Sequence, residues 1–305
     1  MIQTKSGAAG LSIVSNTILI ALKIAAGAIT GSIAILTEAI HSAVDLVASV
    51  IAWISVRKAD EPADREHPYG HEKVENLAAA IEGMLILVGA GIIIYEATRR
   101  LVSGSEIESL GVGLAVVGFS ALANVVVSTF LYRRAKALGS PALEGDAAHL
   151  RTDAMTSFGV FAGLLLVEIT GETAFDAIAA LIVAVAIVVA GLRILTRSSR
   201  VLVDESPPEA ELDRVEAAIA VARRSTPEIA GYHKLRGRRV GVGSYIDLHL
   251  QFRQGTTLED AHAAAHRVRE AIQAEIARCE VLIHVEPEGS VRPPEEAGSG
   301  PYRAG

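Results

Sequence analysis

Six long apolar stretches, joined by short polar connections, make up the first two thirds of this chain. Each stretch is near or above the roughly 20 residues that a helix needs to cross a bilayer. The pattern therefore predicts an all-α membrane domain with six transmembrane helices. We place these helices at 8–29, 33–56, 77–101, 110–132, 143–169 and 174–197.

Hydrophobicity falls after Asp204, where charged residues become frequent and shorter amphipathic patterns begin. Residues 246–252 alternate strictly between apolar and polar side chains, which indicates a strand with one buried face. Further strands near 232–240 and 281–286, with one helix before the first strand and one after the second, complete the pattern. We therefore predict a small α+β domain with the element order α-β-β-α-β.

The chain thus divides into three predicted parts. Residues 1–203 form the membrane domain, residues 204–287 form the α+β domain, and residues 288–305 form a Pro/Gly/Glu-rich tail that we expect to be disordered. At the start of the α+β domain, Ser206 and Glu209 have the spacing of a capping box. We therefore expect Ser206 to cap the first helix of this domain.

Charge and cysteine content narrow the function classes. The formal net charge is −7 and the chain has no basic run, which argues against nucleic-acid binding. A single cysteine, Cys279, excludes an internal disulfide and favours a reducing compartment.

Lys and Arg concentrate in the connections on the side of the membrane that holds both termini. The positive-inside tendency therefore places both termini and the α+β domain in the cytoplasm.

Two of the predicted membrane helices carry ionisable residues at helical spacing. Glu38, His41 and Asp45 share one face of the second helix. His149 and Asp153 repeat the same His-x-x-x-Asp spacing in the fifth. Each such group costs roughly 2.5–3.5 kcal/mol inside a bilayer, so two pairs are hard to explain by packing. Two imidazoles and two carboxylates suit tetrahedral Zn²⁺, although a single pair would also suit a proton relay.

The connection between the second and third helices is rich in histidine and carboxylates, and its prolines and glycine keep it non-helical. Asp64, His67 and His71 could hold a second metal ion that faces the cytoplasm. A solvated polar loop is equally compatible with their spacing, so both interpretations stay open at this point.

Histidines also collect at polar positions of the α+β domain. They are His233, His249, His262 and His284, and Glu286 follows near the end of the last strand. An ordinary surface would explain each of them singly. Together they form a further set of candidate metal ligands.

Five short motifs carry a resemblance to a known family. They are 31–45 (GSIAILTEAIHSAVD), 67–75 (HPYGHEKVE), 146–153 (DAAHLRTD), 233–236 (HKLR) and 283–287 (IHVEP). Together they resemble the cation diffusion facilitator family of divalent-metal transporters, and in particular its bacterial ferrous-iron and zinc efflux members. The resemblance covers nearly the whole chain up to about Pro287.

The resemblance implies a homodimer in the lipid bilayer, with one transport site in each protomer. This transport site would consist of His41, Asp45, His149 and Asp153. A loop site would include Asp64 and His71. A two-metal site in a metallochaperone-like cytoplasmic domain would draw on His233, His249, His262, His284 and Glu286.

Two positions depart from the pattern of the family. Some bacterial members have Asp where His41 stands, so this site looks like the zinc-preferring type. Glu286 replaces an Asp that bridges two metal ions in similar proteins. Lys73 and Asp204, in turn, match a charge interlock that joins the protomers near the membrane surface.

The implied function is export of Zn²⁺ from the cytoplasm across a bacterial inner (plasma) membrane in exchange for protons, by a multi-pass transporter rather than an enzyme. Imidazole supplies a reason for the exchange, because it binds metal only when deprotonated and titrates near pH ~6.5. Fe²⁺, Co²⁺, Cd²⁺ and Mn²⁺ stay open as alternative ions, because His/Asp sites hold several metals. Two other classes stay open: a metalloenzyme with Glu38 as its base, and a non-transporting metal sensor.

Overall fold

The computed structural model describes residues 4–30, 33–103, 111–170, 172, 174–241 and 243–289. These residues form eight helices and three strands. Internal contacts divide the chain into two compact units, Met1–Leu202 and Val203–Gly305. Of the predicted disordered tail, residues 290–305 lie outside the described part of the chain.

The first unit consists of six long helices, which confirms the predicted helical membrane domain. The helices are α1 (Lys5–Thr30), α2 (Ile33–Ala59), α3 (Lys73–Ser103), α4 (Gly111–Leu138), α5 (Pro141–Thr170) and α6 (Ala174–Leu202). Over the described residues, three of them are long and apolar enough to cross a membrane by length and composition: Lys5–Ala26, Lys73–Arg99 and Ala177–Leu202. Several helices extend beyond the predicted apolar stretches, because their ends continue as polar turns.

Small residues let these helices approach one another closely. Buried alanines fill much of the space where α1, α2, α4 and α5 meet, for example at Ala8, Ala52 and Ala142. Helices α3 and α6 approach each other closely at Gly83, where an added Cβ would lie 2.9 Å from the backbone nitrogen of Leu195. Without a hydrophobic driving force between helices in lipid, such close packing supplies much of their attraction.

The second unit has the predicted α-β-β-α-β order. Its elements are α7 (Glu209–Arg224), β1 (Ile229–Val240), β2 (Gly243–Phe252), α8 (Leu258–Glu275) and β3 (Cys279–Pro287). The strands form one sheet in the order β1-β2-β3, in which β2 pairs antiparallel with β1 and parallel with β3. One face of β2, at Ile246, Leu248 and Leu250, is buried against α7 and α8 as its alternation predicts.

The predicted cap of α7 is wrong. The helix begins at Glu209 with Pro208 as its N-cap residue, and no side chain caps it. The reason lies in the paired prolines, because Pro208 disfavours helical backbone at Pro207 and so prevents an earlier start. In contrast, Thr257 does cap α8, and its hydroxyl oxygen accepts a hydrogen bond from the backbone N–H of Asp260 at 3.1 Å.

The register of the sheet aligns three histidines across neighbouring strands. His233 of β1 lies opposite His249 of β2, and His249 lies beside His284 of β3. A β-bulge follows His233, and Lys234 takes up the left-handed backbone conformation there with φ 53°. Because Glu286 is two residues beyond His284, its side chain points to the same face of the sheet.

The glycine contact between α3 and α6 gives a stability prediction. We expect Gly83→Ala to lower the melting temperature in detergent, because the new methyl group meets backbone atoms and would cost about 1–3 kcal/mol. Gly89→Ala is the matched control on α3, since a Cβ at Gly89 meets nothing within 4 Å. Equal melting temperatures for the two variants would contradict the close approach.

Candidate metal sites

The predicted membrane site comes together from two helices. Asp45 of α2 and His149 and Asp153 of α5 each offer a ligand atom, and these atoms lie within 4.8 Å of one another. Asp45 and His149 are almost completely buried, at 4% and 6% exposure. The described chain thus holds two carboxylates and one imidazole that converge inside the helical unit.

The fourth predicted ligand, His41, lies in α2, as does Glu38 three residues before it. Their side chains lie outside the described part of the structure. His41 stands one helical turn before Asp45, so its place in the sequence keeps it on the same side of the helix. Its role as a ligand stays a prediction.

The spacing of the described ligands suits a tetrahedral ion. Zinc bonds of about 2.0–2.2 Å require neighbouring ligand atoms to lie about 3.3–3.6 Å apart. Nε2 of His149 lies 3.1 Å from Oδ1 of Asp45, close to that separation. Nδ1 of His149 is buried and has no hydrogen-bond partner among the described residues. The hydrogen bond between His149 and Asp45 therefore uses Nε2.

A polar network supports this site from α1 and α2. The hydroxyl of Ser49 donates to Oδ1 of Asp146 at 3.0 Å, and Nδ2 of Asn16 donates to the Ser49 oxygen at 2.9 Å. The hydroxyls of Ser12 and Ser49 lie 2.9 Å apart. The carboxylate of Asp146, one turn before His149, is therefore fixed to both neighbouring helices.

The sequence predicted that Asp146 lies on the same side of the fifth helix as His149 and Asp153. It did not identify the residues that bond to Asp146. A signal for them exists, because Ser12 and Asn16 are four residues apart on α1, and Ser49 follows Asp45 by the same interval. Polar pairs at this spacing indicate a polar stripe on each helix. Only the packing shows that the stripes of α1, α2 and α5 meet.

The connection before α3 forms a second cluster, of Asp64, His67 and His71. Nε2 of His71 lies 3.3 Å from Oδ2 of Asp64 and 3.1 Å from Nδ1 of His67. His71 is buried at 3% exposure, whereas Asp64 and His67 are exposed. These separations again match those of ligands around one tetrahedral ion.

The backbone of the connection prepares Asp64 to carry a negative charge. The backbone N–H of His67 donates to Oδ1 of Asp64 at 2.6 Å, which lowers the pKa of this carboxyl group below its ordinary value. The N–H of Glu66 donates to the same oxygen at 2.9 Å. Gly70 adopts φ +86°, which allows the turn that returns His71 to the other two residues.

A third cluster lies on the polar face of the sheet in the second unit. His233, His249 and Glu286 each offer a ligand atom, and these atoms lie within 4.8 Å of one another. Nε2 of His233 lies 2.5 Å from Oε1 of Glu286, and Nδ1 of His249 lies 3.2 Å from Oε2. The donors fit a zinc ion, because two imidazoles and a carboxylate are common zinc ligands.

Glu286 is held in its charged form. Burial raises the pKa of its carboxyl group, but hydrogen bonds from His233 and His249 lower the pKa by more than burial raises it. The pKa therefore lies below the ordinary value. By contrast, burial raises the pKa of Cys279 on the same strand to about 11. This thiol stays neutral in the core, so the ligands of the cluster are nitrogen and oxygen.

The other predicted residues of the cytoplasmic site lie further out. The ring of His284 is 4.6 Å from that of His249, and its Nε2 is 4.0 Å from Oε2 of Glu286. His262 belongs to α8, which covers the opposite face of the sheet, and its ring contacts that of His266 at 4.5 Å. Within one chain His262 is therefore not part of the cluster. Asp204, the predicted interlock residue, forms an ion pair with Arg238 at 3.4 Å.

Comparison with protein families accounts for nearly all of the described chain. The cation efflux transmembrane domain matches residues 10–203, and the cytoplasmic domain of cation efflux proteins matches residues 207–288. The chain belongs to the cation efflux family. This confirms the predicted relationship to divalent-metal transporters, and the family is one of transporters rather than enzymes.

Two relatives found by sequence agree with the assignment of this cation efflux protein. A transporter from Synechocystis sp. is 33% identical over 277 residues, which cover 91% of this chain and 88% of the relative. The cation-efflux pump FieF of Salmonella arizonae is 30% identical, with 88% of each chain covered. A solved metal-bound C-terminal domain of the CzcD transporter from Thermotoga maritima is 28% identical over 28% of this chain and 100% of that structure, with a TM-score of 0.25.

The sheet cluster of the cation efflux protein gives a binding prediction. We expect the double variant His249→Ala/His284→Ala to bind fewer zinc ions per chain than the wild type, because it removes two of the three aligned imidazoles. Gln251→Ala, on the same face of β2, should bind as the wild type does. Calorimetric zinc titration of the purified full-length protein measures both. An unchanged stoichiometry in the double variant would show that these histidines are an ordinary surface.

Proposed function

We propose that this cation efflux protein exports Zn²⁺ from the cytoplasm in exchange for protons. The observation that supports the proposal best is the convergence of Asp45, His149 and Asp153, largely buried, between α2 and α5. Buried ionisable residues in a membrane domain are costly and mark ion pathways. With His41 as fourth ligand, the site has two nitrogens and two oxygens, a set that suits Zn²⁺.

Proton exchange follows from the chemistry of the ligands. An imidazole must be deprotonated to bind a metal ion, so protons and Zn²⁺ compete for His41 and His149. On the side with the higher proton concentration, protonation favours release of the metal. On the cytoplasmic side, the metal displaces the protons. Movement of the ligand-bearing helices between two packings would expose the site to each side in turn.

The remaining parts of the proposal concern assembly and location. The proposed protein is a homodimer in the bacterial inner membrane. The distribution of Lys and Arg in the connections fits a cytoplasmic location of both termini. The cytoplasmic domain would bind Zn²⁺ through its sheet cluster and bring the two copies together. Metal binding that favours one arrangement stabilises it by mass action. His262 would then contact a second copy of the domain, because the sheet cluster of its own chain lies on the opposite face of the sheet.

Loss of single ligands tests the transport site. We expect Asp45→Asn, His149→Ala and Asp153→Asn each to abolish Zn²⁺ flux into sealed vesicles while leaving a folded protein, because each removes one corner of the coordination sphere. Thr156→Ala is the matched control on α5, since the Thr156 hydroxyl donates a hydrogen bond to the backbone oxygen of Thr152 in its own helix. Near-normal flux in two of the three ligand variants would disprove the assignment.

Replacement of the predicted fourth ligand tests selectivity. His41→Asp exchanges a borderline nitrogen donor for a hard oxygen, so transport of Mn²⁺, Fe²⁺ or Cd²⁺ should rise relative to Zn²⁺. Competition among these ions in the same vesicle assay measures the ranking. If the ranking of metals does not change, His41 does not determine selectivity.

A further inference from the structure

Glu82 is a buried acid that the metal site does not use. It lies in α3 with its side chain fully buried, and neither carboxylate oxygen has a hydrogen-bond partner among the described residues. A charged carboxylate in such surroundings has lost its water without gaining a donor, which is strongly unfavourable. A neutral, protonated carboxyl group avoids most of this cost.

The backbone of α5 leaves space for this carboxyl group. Gly145 faces Glu82, and an added Cβ at this position would lie 2.0 Å from Oε2 of Glu82 and 3.3 Å from the Cα of Ala79. Any side chain at this position would displace the acid. The close contact of α3 with α5 therefore depends on glycine at position 145.

A second buried acid, Asp146, is the next residue after Gly145 in α5. Asp146 is completely buried, and it stands next to Gly145, which lies directly against the carboxyl group of Glu82. On the α6 side, Gly191 and Leu195 pack against α3 beside Glu82. Glu144 on α5 is already paired with Arg197 at 2.8 Å. Two carboxylates in one water-excluded place do not both carry charge, so the pair holds a proton.

The surroundings place that proton on Glu82. Oδ1 of Asp146 accepts a hydrogen bond from Ser49, which stabilises a negative charge there. Glu82 has no comparable donor within the described structure. Of the two acids, Asp146 is therefore the better location for the charge.

The pair lies at the depth of the metal site. Glu75 near the start of α3 accepts a hydrogen bond from Ser140 directly before α5, so the two helices start at the same level. At 1.5 Å per residue, Glu82 lies about 10 Å beyond Glu75 and His149 about 14 Å beyond Ser140, so their depths differ by less than one helical turn. Asp146 is one turn from His149, and its partner Ser49 is one turn from Asp45.

We propose that Glu82 and Asp146 form a proton-binding site that is linked to metal occupancy of the site at Asp45, His149 and Asp153. When a divalent ion arrives, the O–H bond of the Glu82 carboxyl group breaks and the proton leaves to water. When the ion departs, a proton returns. Linkage is reciprocal, so a proton on the pair lowers metal affinity. The proposal rests on the proposed proton-coupled transport and adds a proton carrier that is not a metal ligand.

Infrared spectroscopy tests where the proton resides. Zinc-free protein in lipid at neutral pH should show the carbonyl stretch of a protonated carboxyl group, and Glu82→Gln should lose it. Glu96→Gln, on the same helix but next to exposed Arg99, should keep it. The zinc-minus-apo difference spectrum of the wild type needs no variant, and it should show loss of this band. A band unchanged both in Glu82→Gln and on zinc addition would overturn the proposal.

Proton release on zinc binding tests the linkage. In weakly buffered solution with a pH indicator, Glu82→Gln should release up to one proton fewer per bound zinc than the wild type, and Glu96→Gln should match the wild type. Equal release by all three proteins would overturn the link to the metal. If wild-type flux in vesicles did not respond to a pH gradient, proton antiport itself would fail, whereas the infrared band and the proton count would still decide the role of Glu82.

Discussion

The cost of placing ionisable groups inside an apolar helical unit governs this structure. Every buried acid or base there must find a partner, a metal ion or a proton. Asp45 meets His149, Asp146 meets Ser49, and Glu82 fits against a glycine. Small residues elsewhere in the helices help these polar side chains to find partners, because they let the helix backbones approach closely enough for short side chains to touch.

That constraint also connects binding to movement. The hydroxyl of Ser49 links α2 to Asp146 on α5, and Asn16 links α1 to both Ser49 and the backbone oxygen of Asp45 at 3.5 Å. A helix that moved would have to exchange these bonds for others. The candidate metal site therefore lies next to the hydrogen bonds that hold these three helices together.

The three clusters share ligand types but differ in exposure. The membrane cluster is buried between helices, the loop cluster has two exposed members, and the sheet cluster lies on an open face of a domain with its own core. A buried site must release its ion through a conformational change, whereas an exposed one can equilibrate directly with solvent.

The sequence by itself determined the helical membrane unit, the α-β-β-α-β order and the family, because hydrophobic period and short motifs are local properties of the chain. It also marked the residues of each cluster, such as His149 and Asp153 at one helical turn. Only the tertiary structure decided which polar faces meet. Sheet register aligned His233 with His249, and glycine at position 145 left space for Glu82 between α3 and α5. These outcomes depend on contacts between distant segments, which no local pattern contains.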